Sequence, residues 1–146
     1  MEKYMQLAIK EAEKAALKDE VPIGAVIVKD GKVIAKAHNN CEHSGDCTGH
    51  AEILAIRKAC KKLGTTRLRG CDMYVTLEPC TMCAAAISFA RIENLYIGAE
   101  DEKGGAVFNG VKFFESKTCH HKPKIKSGIL SNTCSQILKT FFRNKR

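Results

Sequence analysis

Two short stretches, His50-Ala51-Glu52 and Pro79-Cys80-Thr81-Met82-Cys83, decide how this chain of 146 residues reads. Together they offer one imidazole, two thiols two residues apart, and a carboxylate two positions beyond the histidine. A structural zinc site closes its tetrahedron with four protein ligands, whereas a catalytic one stops at three and leaves the fourth position to water. His50, Cys80 and Cys83 supply three, so one Zn2+ per chain is expected. Glu52 is the natural proton shuttle beside it, because metal binding lowers the water's pKa and a carboxylate takes up and passes on the proton.

Both stretches read as helix entrances. Asp46 or Thr48 is placed to cap a helix starting near His50, with Ile53, Leu54, Ile56, Cys60 and Leu63 as its apolar stripe and Gly64 as its stop. The second stretch follows a strand-like run over 73–77; Pro79 suits a first helical turn, and Ala84 to Ala86 continue the helix. Cys80 then lies where unpaired backbone N–H groups favour thiolate, the form that binds metal.

Working outward, residues 2–17 form an amphipathic pattern whose buried face is Met5, Ala8, Ile9, Ala12, Ala15 and Ala16. Pro22 opens a strand over 23–28 that turns through Asp30-Gly31 into 33–35, a hairpin signal. Gly24 inside that strand marks a place where a ligand or another backbone comes close. His38-Asn39-Asn40 begins a polar loop, in which Asn39 reads from its own chemistry as a turn former. The run over 94–98 completes a β-α-β unit with the 73–77 strand and the Cys80 helix, predicting two parallel strands. The motif residues therefore gather at strand ends, where open α/β sheets place their sites.

Regularity breaks down after Gly98. Residues 101–105 read as a flexible loop, 108–114 as a helical turn, and His120-His121-Lys122-Pro123 as irregular polar chain rather than a second metal site. Ser131 caps a last helix with Ile137, Leu138, Phe141 and Phe142 as its apolar positions. The Phe pair either docks the helix or stacks on bases, with one ring free to do each.

With 45% hydrophobic residues, the length suits one buried domain over 1–146. The N-terminus is charged and amphipathic rather than a signal core, and no run approaches membrane-spanning length, which excludes a membrane partner and predicts a cytoplasmic protein. That compartment argues against a disulfide framework for the eight cysteines. Cys60, Cys71 and Cys134 read as core residues, and Cys41, Cys47 and Cys119 as loop thiols. Cys47, three residues before His50, is also within reach of the metal as a fourth ligand, which would close the open position. Residues 1–110 carry 15 Lys and Arg against 15 Asp and Glu, whereas 111–146 carry 9 against 1, so the net charge of +8 sits in the last quarter. Such a basic region is either the footprint of a polyanion or a solvated tail.

The pattern H-x-E followed by P-C-x-x-C is the signature of zinc-dependent nucleobase deaminases. More closely, the chain resembles the bacterial-type tRNA-specific adenosine deaminases of the cytidine deaminase-like superfamily, from about Tyr4 to Arg143. The resemblance rests on Glu20-Val21-Pro22-Ile23-Gly24-Ala25-Val26, His50-Ala51-Glu52-Ile53, and Thr76-Leu77-Glu78-Pro79-Cys80 with Met82-Cys83. Gly98-Ala99 with Asp101, Lys103, Gly105 and Ala106, then Gly128-Ile129-Leu130 and Phe141-Phe142-Arg143, extend it. It implies a three-layer α/β/α fold around a five-stranded mixed sheet, a homodimer, and a tRNA partner. By position it implies zinc on His50, Cys80 and Cys83, proton transfer by Glu52, and nucleoside contact by Asn39. Asp101, Lys103, His121, Phe142 and Arg143 fall in regions the family uses to hold the anticodon loop.

The chain departs from the family pattern at Asp46-Cys47-Thr48-Gly49, where Asp-Pro-Thr-Ala is usual, and at Val107-Phe108-Asn109, where small polar residues are usual. His120-His121-Lys122 replaces Asn-His-Arg, and lysine cannot reproduce an arginine fork. The alternatives are a deaminase of a free base or nucleotide, which shares the zinc motif, and a zinc-stabilised RNA-binding module without catalysis.

Overall fold

Alternate side chains of Ala25-Val26-Ile27-Val28 point to opposite faces of a strand, and here both faces are apolar, as in a sheet covered on two sides. A computed structural model describes residues 1–145. Its strands are β1 (Gly24–Lys29), β2 (Lys32–His38), β3 (Cys71–Leu77), β4 (Asn94–Ala99) and β5 (Lys124–Lys126). They lie in the order β2-β1-β3-β4-β5, with β1 antiparallel to both neighbours and β3, β4 and β5 parallel. The helices are α1 (Glu2–Leu17), α2 (Cys41–Ser44), α3 (Ala51–Leu63), α4 (Thr81–Phe89) and α5 (Ser131–Asn144).

Strand alternation divides the core in two. Ala25, Ile27, Met73, Val75, Leu95 and Ile97 pack beneath Ala51, Ala55 and Ala59 of α3 and Ala84 and Ile87 of α4. Val26, Val28, Tyr74 and Tyr96 face the other way, beneath Met5, Ala8 and Ile9 of α1 and Cys134 and Ile137 of α5. The result is three layers, α/β/α, around a five-stranded mixed sheet, as expected. The hairpin turns where both Asp30 and Gly31 take positive φ, 50° and 74°. That is the turn whose twist matches the flanking strands.

Several local expectations give way to tertiary structure. The core row of α3 is alanine, while Leu54, Ile56, Cys60 and Leu63 are only partly buried at its flank, because small side chains let the helix approach the sheet closely. On α1 the buried face includes Glu11, whose carboxylate accepts from Lys14 Nζ at 2.8 Å and pairs with His38 Nδ1 at 3.0 Å; Ala16 is half-buried. β2 runs on to His38 because that pairing and the β1 ladder hold it there. The close approach at Gly24 is the backbone of α1: a Cβ would overlap the Ala8 carbonyl oxygen and lie 2.7 Å from the Ala12 nitrogen. Leu130, with φ of 54°, stands at the N-cap of α5 in place of Ser131. Residues 113–115 supply the helical turn expected within 108–114.

Candidate active site

Helices α3 and α4 pack side by side on one face of the sheet and begin at the same end of it. His50 is the N-cap of α3, and Cys80, which follows β3, is the N-cap of α4. Neither entrance is built as the sequence suggested. Asp46 instead closes its own loop, accepting from the Thr48 N–H at 2.9 Å and the Thr48 hydroxyl at 2.7 Å. Pro79 sits before Cys80 rather than in the first turn, its carbonyl accepting from Ala106 N–H at 2.9 Å. The first N–H of α3, on Ala51, donates to Asn39 Oδ1 at 2.8 Å, so Asn39 caps the helix from another segment. Asn39 is buried, and among the described residues its Nδ2 has no protein partner.

His50 Nδ1 lies 3.6 Å from both Cys80 Sγ and Cys83 Sγ. A tetrahedral zinc with bonds of roughly 2.0–2.1 Å to nitrogen and 2.3 Å to sulfur places such atoms roughly 3.5 Å apart. The donor set thus fits one zinc ion in both chemistry and spacing. Among the described residues these three are the only group of His, Cys, Asp or Glu gathered as metal ligands, and Cys47 is exposed and outside it. Glu52, in the first turn of α3, is 4% exposed and faces the cluster.

The electrostatics of the cluster suit a cation. The Cys80 thiol is held down to about 4, first by the hydrogen bond from Cys83 and then by His50, against burial. Cys83 keeps its proton far above the ordinary thiol range because it donates to Cys80 and is buried. Cys80 also raises His50, against desolvation. Burial pushes the Glu52 carboxyl up to about 7, with Cys80 adding to the rise and His50 opposing it. A divalent ion replaces the shared protons of the ligands and favours the ionised carboxylate beside it.

The other sequence-predicted residues are spread over separate elements rather than gathered with His50, Cys80 and Cys83. Asp101 Oδ1 accepts from the backbone N–H groups of Lys103 and Gly104, both at 3.1 Å, and Lys103 projects from that turn into solvent. His121 Nε2 donates to the Ile92 carbonyl at 2.7 Å, which anchors the chain beyond α4. Phe142 and Arg143 are exposed on α5, in the opposite layer from α3 and α4, while Phe141 is half-buried in the groove beside α1. One ring docks and the other faces out. The end of α5 still reaches the site's side of the molecule, because Lys145 lines the same 440 Å³ recess as Asn39, with Glu20, Cys41 and His43.

Besides Glu11, two buried carboxylates were given no role by the sequence reading. Glu20, 1% exposed, accepts from the N–H groups of Glu42 and His43 at 3.1 and 2.8 Å and pairs with His43 Nδ1 at 2.7 Å, fixing α2 beside Asn39. Glu78, 3% exposed, gathers the loop over 101–109 next to Pro79. The only signal of either in the sequence was an acid close to a proline beside an apolar strand.

The MafB19-like deaminase family model matches residues 1–146. A tRNA-specific adenosine deaminase of Agrobacterium fabrum is 59% identical over 143 residues, covering 98% of this chain and 94% of the relative. One from Bacillus subtilis is 48% identical over 145 residues, covering 99% and 90%. Among solved structures, one from a study of A-to-I editing by tRNA deaminases at the wobble position superposes with a TM-score of 0.92 at 58% identity, covering 93% of this chain and 99% of that one. A guanine deaminase from Bacillus subtilis reaches a TM-score of 0.67 at 34% identity, covering 98% and 93%.

Proposed function

Because the chain belongs to the MafB19-like deaminases and, within them, to the tRNA-specific adenosine deaminases, we propose that it hydrolyses adenosine to inosine at the wobble position of a tRNA anticodon loop. The observation that carries the reading is the triangle of His50 Nδ1, Cys80 Sγ and Cys83 Sγ with buried Glu52 facing it. His50, Cys80 and Cys83 hold one zinc ion in this reading. That ion supplies Lewis-acid activation of water and stabilises the negative charge that develops as water adds to C6 of adenine.

The protein's own groups do the rest. Glu52 accepts a proton from the attacking water and delivers it to ring N1, then takes the remaining proton from the C6 hydroxyl and passes it to the amino group, so that the C–N bond breaks, ammonia leaves and the C6 carbonyl of inosine forms. Its burial keeps bulk water from levelling that exchange. Asn39, with Oδ1 committed to Ala51, offers Nδ2 as a donor to the nucleoside and orients it. An anticodon loop presents bases already partly unstacked, so drawing one into the pocket costs a few kcal/mol at most.

Asp101, Lys103, His121, Phe142 and Arg143 hold the loop's flanking nucleotides, and the exposed Phe142 provides a surface for base stacking. All the lysines and arginines described over 111–145 are exposed, which suits them to phosphates. The reading includes a single domain over 1–146, a homodimer, for which exposed Phe89 and Val111 offer apolar surface, and work in the cytoplasm on tRNA. Among the described residues no helix is long and apolar enough to cross a membrane.

Incubating metal-loaded protein with unmodified tRNA, free adenosine, cytidine and guanine tests the reading. Sequencing, in which inosine reads as guanosine, should show A-to-G change at the wobble position. Turnover of a free base with unchanged tRNA would overturn it.

A further inference from the structure

The loop over 101–109 has no regular secondary structure, yet its backbone donors converge on one side chain. Glu78 Oε2 accepts from the N–H groups of Val107, Phe108 and Asn109 at 3.0, 2.9 and 3.2 Å. Oε1 accepts from the Asp101 N–H at 3.0 Å and from Asn109 Nδ2 at 2.8 Å. One buried carboxylate therefore satisfies four backbone donors and one side-chain amide that a sheet or helix would otherwise pair.

The fit leaves no slack. A Cβ on Gly105 would overlap the Glu78 carboxylate and lie 2.5 Å from the Asp101 carbonyl oxygen. Glu78 N–H donates to the Ala99 carbonyl at 2.8 Å, and Ala106 N–H to the Pro79 carbonyl at 2.9 Å. The loop is thereby bound to the segment that ends in the metal ligand Cys80. Projecting from it are Lys103, exposed, and Phe108, a residue 38% exposed although its N–H is pinned.

We propose that Glu78 is a positioning residue for RNA: by gathering these five donors it holds the 101–109 loop as a fixed rim beside the metal centre, presenting Lys103 and Phe108 to the nucleotides flanking the target. The proposal rests on the tRNA reading above and adds to it the group that shapes the rim. A preformed loop binds without the ordering cost that a mobile one incurs, so Glu78 acts on substrate capture rather than on bond breaking. In Glu78→Gln one acceptor oxygen becomes an NH2 group facing N–H donors, which cannot be satisfied there.

Single-turnover inosine formation is measured against tRNA concentration for wild type, Glu78→Gln and Asn109→Ala, alongside zinc content. Glu78→Gln is expected to raise the half-saturating tRNA concentration tenfold or more, with the saturated rate within threefold of wild type and zinc unchanged. Asn109→Ala, which removes only the 2.8 Å amide contact and leaves four donors in place, is expected to raise it about threefold, and keeps the test open if Glu78→Gln does not fold. Unchanged half-saturation in the variants, or a loss of saturated rate in step with loss of zinc, overturns the proposal. A wild-type protein that forms no inosine in tRNA overturns the underlying reading instead.

Discussion

Glu52 has almost no contact with solvent; burial raises its carboxyl to about 7 in the metal-free cluster, and a bound cation draws it back toward the ionised form that accepts a proton. A residue that carries a proton between water and base contributes on the order of 10²–10⁴ in rate. Glu52→Ala is therefore expected to keep its zinc and lose single-turnover activity on that scale; an unchanged rate would remove it from the chemistry. The ligands make a second prediction. Without metal, Cys83 and His50 hold their protons above their ordinary values, so zinc must displace protons and apparent affinity must fall as pH falls. Competition with a chelator across pH 8 to 6 measures this, and pH-independent affinity would contradict it. That His50, Cys80 and Cys83 come together was legible in the sequence, because metal chemistry dictates residue type and spacing together. The roles of Glu20 and Glu78 were not, because their partners, chiefly backbone N–H groups of α2 and of the 101–109 loop, lie more than twenty residues away.

Elements were legible where local pattern and tertiary packing agree. The Asp30-Gly31 turn and the parallel pairing of β3 with β4 are such cases. β5 is only three residues long, alternating Lys-Ile-Lys at the sheet edge, which is too short for a periodic signal. The core row of α3 was hidden because alanine gives a weak hydrophobic signal beside Leu54 and Ile56. Gly24 shows the same close packing between α1 and β1. Gly24→Ala forces a methyl into the α1 backbone and is expected to cost about 1–3 kcal/mol or more by chemical denaturation. An unaffected midpoint would mean that the two elements separate freely. Glu20 ties α2 to the end of α1, and its carboxyl, although burial opposes the charged form, is held down to about 2 by His43 and the N–H groups of His43 and Glu42. Its folded value is depressed, so its stabilisation is complete above the unfolded value near 4.3 and is lost as pH falls toward 2. The acid limb of a stability curve should therefore be shallower in Glu20→Gln than in wild type over that window.

For the whole molecule, the charge balance and the metal centre make separate claims. The excess positive charge lies over 111–146. In the described part of that region every basic side chain is exposed, and the end of α5 borders the recess beside Asn39. Binding of tRNA is then expected to weaken steeply with salt, by roughly 0.7 to 0.9 in log–log slope for each phosphate contacted. A flat salt response would reduce the region to a solvated tail. Composition located this charge but could not place it, because α5 folds back across the opposite layer before its end returns to the site's side. The metal centre is tested most directly by X-ray absorption at the zinc edge on the purified, metal-loaded protein. One nitrogen, two sulfurs and one further light atom around each zinc is the expected shell; three sulfurs, with Cys47 closing the tetrahedron, would contradict an open catalytic position.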